Sequence, residues 1–323
     1  MTVARSLLVS ATVLAATASQ AADMAVPRQV VAISFDGAQH VAQWKRSRAL
    51  AERTGARFTY FLSCVYLLAP EHRTLYQSPE HRPGRSNVGF GTSKEEVAER
   101  LAEIWTARRE GHEIASHGCG HFDGKDWSKA DWEGEFSAFA RIVRDAFTIN
   151  GIDGEPDGWR GFVENDIRGF RAPYLSTSEA LFEALAEAGM DYDASGVSKG
   201  PAHPETRQGL RRFALPMVPE GPAARPVIAM DYNLFARHSD AEETEDPEGR
   251  FEERAYRAFK AAFDEQHDGR RIPLQIGYHF TLMNGGAYWR ALERFVDEVC
   301  IKPDVDCISY EELDSRLGEG GEG

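Results

Sequence analysis

The chain has 323 residues, 42% apolar and 27% charged, with a formal net charge of −14. That balance belongs to a globular protein with a sizeable core and excludes a disordered or fibrous one. An acidic chain without a basic block is also poorly suited to nucleic acid or to an anionic membrane surface.

The opening stretch, MTVARSLLVSATVLAATASQAAD, sets Arg5 before an apolar run from Leu7 to Leu14 and small residues at Ala21 and Ala22. This is the pattern of a secretory signal, bacterial in style. It predicts a signal peptide over residues 1–22, a single domain over 23–323, and a periplasmic or extracellular destination. The apolar run is too short for a permanent anchor, and no later segment predicts a membrane span.

Beyond the leader, QVVAISFDG (Gln29 to Gly37) is an apolar run closing on Asp-Gly and predicts a buried strand. A helix follows through VAQWKRSRALAERT, with Gly55 as its stop, and ARFTYFLSCVY predicts a second strand. Leu67 to Gly91 is a long irregular connection, suited either to lining a ligand site or to a plain surface excursion. SKEEVAERLAEIWTARREG predicts a helix opened by Ser93 and Glu96 as a capping box and ended at Gly111. HEIASH reads as a third strand, DWSKADWEGEFSAFARIVRDAF as an amphipathic helix and GFRAPY as a fourth strand. STSEALFEALAEAG predicts a helix ended by Gly189, and DYDAS a short strand. Short strands at RRFALPMV and PVIAMDY precede an acidic loop, SDAEETEDPEG. A helix near FEERAYRAFKAAFDEQ, the strand IPLQIGYHF, the helix AYWRALERFVDEV, and a last strand and turn in VDCISYEEL complete the order. This alternation implies an α/β fold, a parallel sheet or barrel covered by helices. In such folds ligand chemistry collects at the C-terminal ends of strands. Asp36, His117, Arg171 and His279 each close a predicted strand.

Four cysteines in an exported chain tend to pair, and three pairings exist in principle. Cys300 and Cys307, seven apart, can close a small loop between a helix and a strand. Cys64 and Cys119 lie near the ends of consecutive strands and form the other candidate pair.

ASHGCGHFDG holds His117 and His121 in His-x-x-x-His spacing. Gly118 and Gly120 disfavour a continuous helix, so the pair predicts a tight turn at a strand end. Two neutral imidazoles suit zinc or another divalent transition ion, and a catalytic zinc site takes about three protein ligands and an open position.

In chain order VAISFDG, SHGCGH, RAPY, DYDAS and IGYH resemble the motifs of the polysaccharide deacetylases of carbohydrate esterase family 4, over roughly Val30 to Leu317. The resemblance implies a distorted (β/α) barrel with a surface groove. It implies an exported, metal-dependent hydrolase that removes N- or O-linked acetyl groups from an acetylated polysaccharide or oligosaccharide. Carried over residue by residue, His117 and His121 hold a divalent metal, zinc first, with cobalt or nickel as alternatives. Asp36 takes the place of the general base and Arg171 orients it. Tyr174 supports the oxyanion, in the family mainly through its backbone N–H. His279 protonates the leaving group, with Asp193 as a candidate to tune it. Tyr174, Tyr232 and Phe280 are candidate substrate contacts.

The departure is Gly37, which stands where the family has a second Asp that ligates the metal. Asp36 or Asp123 is then the candidate third ligand. The alternative is a catalytically silent, carbohydrate-binding relative. An amidase acting on a small non-sugar amide is a third reading.

Overall fold

The computed structural model describes residues 27–319. The expected signal peptide lies outside them.

The strands and helices alternate as the hydropathy pattern predicts. β1 (Gln29–Gly37) leads to α1 (Val41–Thr54), β2 (Thr59–Leu62), α2 (Lys94–Arg109), β3 (Glu113–Ser116) and α3 (Lys129–Arg144). Two short helices, α4 (Ala146–Ile149) and α5 (Trp159–Asn165), precede β4 (Gly169–Phe170), α6 (Glu179–Glu187) and β5 (Tyr192–Ser198). A strand group follows, β6 (Glu205–Arg207), β7 (Leu210–Glu220) and β8 (Arg225–Ile228). The chain ends with α7 (Asp231–Ser239), α8 (Arg250–His267), β9 (Leu274–His279), α9 (Met283–Val299), β10 (Val305–Ile308) and α10 (Tyr310–Glu319).

Local chemistry sets the ends of these elements. Gly55 stops α1 at φ +76°, a left-handed cap whose N–H reaches Ala51 O. Ser93 caps α2 through the Glu96 N–H, and Ser128 with Asp131 forms a full capping box on α3. α7 departs from the hydropathy pattern. PVIAMDY reads as one strand, but the extended run stops at Ile228 and Asp231 opens a helix. GFRAPY is likewise strand only over Gly169–Phe170. Pro173 starts a 3₁₀ turn in which Tyr174 and Leu175 take φ of 58° and 56°.

The sheet runs β10-β1-β2-β3-β4-β5-β7-β6, with β9 on the other side of β1 and β8 on β7. All pairings are parallel except those of β7 with β6 and β8. Ala229 and Met230 join the two flanks. The Ala229 N–H bonds Pro216 O of β7, and the Gly277 N–H of β9 bonds Ala229 O, each at 2.9 Å. The sheet thus curls into a barrel. Its interior is a small aromatic cluster that includes Phe61, Tyr192, Phe213 and Tyr310. The larger core lies between sheet and helices, where Phe35 stacks on Trp289 with centroids 5.2 Å apart. Both expected disulfides are present, Cys64–Cys119 and Cys300–Cys307.

Candidate active site

Parallel pairing brings the C-terminal strand ends to one rim, and the chemistry-bearing residues arrive there together. Asp36 near the end of β1 is in register with His279 at the end of β9. His117 follows β3, its N–H on Leu62 O at 2.9 Å, and Arg171 follows β4, its N–H on Ser116 O at 3.0 Å.

Arg171 is fully buried inside the barrel and makes four side-chain hydrogen bonds. Nη1 donates to Asp36 Oδ1 at 2.8 Å and to the Ser34 hydroxyl at 2.7 Å. Nε donates to Ala194 O at 2.9 Å, and Nη2 to the Tyr310 hydroxyl at 3.1 Å. Burial alone would raise the Asp36 carboxyl, but the Arg171 charge foremost, with the nearby imidazoles, outweighs it and holds the group below the usual carboxylate range. Asp36 is therefore an ionised acceptor at the rim.

His279 has the opposite setting. Its Nδ1 lies 2.7 Å from Asp231 Oδ1, and its N–H donates to Asp231 Oδ2 at 2.9 Å. Burial would lower this imidazole, but the fully buried Asp231 carboxylate raises it above its ordinary value. Asp231 is not among the candidates that the sequence motifs single out. Its signal there is an acid directly after the apolar run PVIAM. Asp193, the expected tuner, is not part of this pair. It accepts the Ser195 hydroxyl at 2.6 Å, and the Ser195 oxygen accepts the Ala172 N–H at 2.7 Å. Burial pushes the Asp193 carboxyl up to about 6.

The His-x-x-x-His segment is a tight turn, as the glycines indicate. Gly118 takes φ +66° and His121 φ +55°. The turn is fastened from below by Cys119, bonded to Cys64, and by the buried Glu135 of α3. That carboxylate accepts the Cys119 N–H at 2.7 Å and the Tyr76 hydroxyl at 2.9 Å, while the Tyr76 oxygen accepts the Gly120 N–H at 3.0 Å. A Cβ at Gly120 would stand 2.6 Å from the Tyr76 ring, so no larger residue fits. The two imidazoles lie 5.1 Å apart, edge to face, and Tyr174 stands 4.9 Å from His121. His117 Nδ1 donates to the Arg171 carbonyl at 2.7 Å. Burial brings the His117 ring down to about 3 and also lowers His121, so both are neutral.

Asp36, His117, His121, Tyr174 and His279 line one cavity of about 550 Å³. Tyr174 and Tyr232, 59% and 51% exposed, line this cavity. Phe280 borders the cavity, but its ring is 2% exposed and packs among Phe35, Trp44, Tyr60 and Trp289, so it is not free to stack on a ligand. The long connection lends Asn87 and Val88 to the wall, and none of its arginines.

No family model and no curated protein matches the sequence. Among solved structures, a Mycobacterium smegmatis protein assigned as a polysaccharide deacetylase superposes with a TM-score of 0.57 at 15% identity, over 91% of this chain and 92% of that one. A Pseudomonas aeruginosa PAO1 protein of the same assignment gives 0.57 at 15%, over 91% and 92%. The fold is that of the polysaccharide deacetylases. The Puue allantoinase has it as well, with a TM-score of 0.54 at 13% identity over 93% of each chain. At such identities the polysaccharide deacetylase fold is shared, and the chemistry is argued from the site.

The divalent ion expected of a polysaccharide deacetylase does not find its donor set here. Among the described residues no group of three or more His, Cys, Asp or Glu is arranged to hold a metal. Asp123, one candidate third ligand, is exposed, and its carboxylate accepts the Lys125 N–H at 3.0 Å in its own loop. Asp36, the other, has one oxygen committed to Arg171. Gly37 offers no side chain. His117 and His121 remain as a pair, short of the three protein ligands of a catalytic zinc centre.

Proposed function

We propose that the chain is an exported hydrolase that removes N- or O-linked acetyl groups from a polysaccharide or oligosaccharide. The carrying observation is the juxtaposition of Asp36 and His279 on neighbouring strand ends with opposed electrostatics: Arg171 keeps the first ionised and Asp231 favours proton binding on the second. Hydrolysis of an acetamide or acetate ester needs a base and an acid at the same carbonyl, with pKa values pushed apart. Asp36 takes a proton from the water that attacks the acetyl carbon. His279 gives its proton to the nitrogen or oxygen that leaves. Tyr174 and Tyr232 offer exposed aromatic faces to sugar rings at the cavity. Two of the structural neighbours carry the name polysaccharide deacetylase, which supports the substrate class. Two disulfides agree with an oxidising compartment, and no helix among the described residues is long and apolar enough to cross a membrane.

The silent, binding-only reading is less well supported. Burying the Arg171–Asp36 and Asp231–His279 pairs costs desolvation that sugar binding alone does not require. Incubating the full chain with acetylated xylan and with N-acetylated chitooligosaccharides, and measuring acetate, decides between the two. Release that disappears in His279→Ala supports hydrolysis. Glycan binding without release from any substrate returns the silent reading.

A further inference from the structure

We propose that the attacking water is held by two protein acceptors, the Asp36 carboxylate and His117 Nε2, and that no divalent ion binds between them. This rests on the hydrolase reading above and adds how its nucleophile is positioned.

Three observations lead there. The first is the state of His117. A carbonyl oxygen only accepts, so the 2.7 Å contact with Arg171 O puts the proton on Nδ1. Nε2 of the neutral ring then carries a lone pair, and His117 and Asp36 line the same cavity. The second is that one residue sets both acceptors. The Arg171 guanidinium binds Asp36 Oδ1, leaving Oδ2, and its main-chain carbonyl binds His117 Nδ1–H. A water that donates one O–H to each acceptor keeps a lone pair free for the acetyl carbon.

The third concerns position 37. Its backbone sits at φ +82°, where a side chain is strained, and a Cβ there would point at the Tyr66 ring, 3.7 Å from Cε2 and 3.9 Å from the hydroxyl. An aromatic ring thus borders the space a ligating carboxylate would enter. Tyr66 is held there, its carbonyl accepting from Arg100 Nη1 at 2.6 Å. The 3.7 and 3.9 Å distances are ordinary contacts, so it is the φ of +82° rather than the ring that favours glycine at position 37. With Gly37 supplying no carboxylate and the Asp36 charge already offset by Arg171, the two imidazoles and the remaining Asp36 oxygen hold a divalent ion weakly.

The step balances. The water oxygen bonds the acetyl carbon as its proton passes to Asp36. The C–N or C–O bond breaks as His279 protonates the leaving atom. Acetic acid and the free amine or hydroxyl depart, the acid releasing its proton to solvent as acetate, and the proton on Asp36 returns to His279 through solvent.

The test uses the purified full chain. Zinc is titrated calorimetrically into wild type and His117→Ala, and acetate release is followed with and without EDTA. The expected results are no one-to-one zinc uptake that depends on His117, and release unchanged by the chelator. Uptake of one equivalent that is lost in His117→Ala, or release abolished by EDTA, overturns the proposal. His117→Gln, which keeps an acceptor oxygen, should retain at least tenfold more activity than His117→Ala. Equal losses would sink the acceptor role. If no acetylated glycan yields acetate, the functional reading fails while the zinc titration still decides the metal question.

Discussion

Two carboxylates define the site at the residue scale, and they act in opposite directions. Asp36 is anionic because a buried guanidinium faces it, and its loss removes the base. Asp36→Asn should lower kcat by about 10²–10⁴-fold, the usual worth of a positioned base, measured as acetate release. Asp231 works through His279. Its charge raises that imidazole above the ordinary histidine value, so the acid form persists to higher pH. Removing the charge lowers the pKa, and the proton is then lost earlier on the alkaline side. Asp231→Asn should move the alkaline limb of the kcat–pH profile to lower pH while leaving the acid limb, set by Asp36, in place. A purely structural role for Asp231 would scale the whole profile instead.

At the scale of elements, the His117–His121 turn depends on parts far away in sequence. Cys64 after β2, Tyr76 in the long connection and Glu135 on α3 all converge on residues 118–120. The Cys64–Cys119 bond spans 55 residues and the Cys300–Cys307 bond only 7. Chain-entropy arguments assign about 4 kcal/mol to the longer loop and about 2 kcal/mol to the shorter. A Cys64→Ala, Cys119→Ala double variant should therefore lose more thermal stability than Cys300→Ala, Cys307→Ala, as read by circular-dichroism melting. It should also lose activity at temperatures where it stays folded, because the turn that carries both imidazoles loses its staple. The second pair lies between α9 and β10, away from the cavity, and should leave activity unchanged.

Across the whole molecule, the barrel carries a second buried polar centre at the end opposite the active site. Glu113 at the start of β3 accepts hydrogen bonds from Thr59, Tyr192 and the Glu311 N–H, and burial pushes its carboxyl up to about 7. A carboxyl whose pKa is higher in the folded state stabilises the fold most below its unfolded value. That contribution is lost as pH rises from about 4.5 through 7. Glu113→Gln cannot titrate, so wild type should lose about 3 kcal/mol relative to the variant between pH 4.5 and pH 7.5, read from urea midpoints. A constant difference across that range would show that the three donors, rather than burial, set the charge state of Glu113.

While the pairing of Cys64 with Cys119, 55 residues apart, was left to the fold, the sequence by itself determined the alternation of strands and helices, the capped helix starts, and the strand-end position of Asp36, His117, Arg171 and His279. These follow from local rules, in which hydropathy period, capping residues and glycine stops act within a few positions of one another. Only the tertiary structure decided that Asp231 rather than Asp193 faces His279, that Asp123 turns away, that Phe280 belongs to the core, and that the Tyr66 ring borders the space beside Gly37. Those outcomes depend on which side chains meet across strands tens or hundreds of residues apart, and no local spacing carries that information. PVIAMDY shows the boundary between the two. Its apolar run is legible as a strand, but the turn into α7 that aims Asp231 at His279 is fixed by Ala229 and Met230 bonding between β7 and β9.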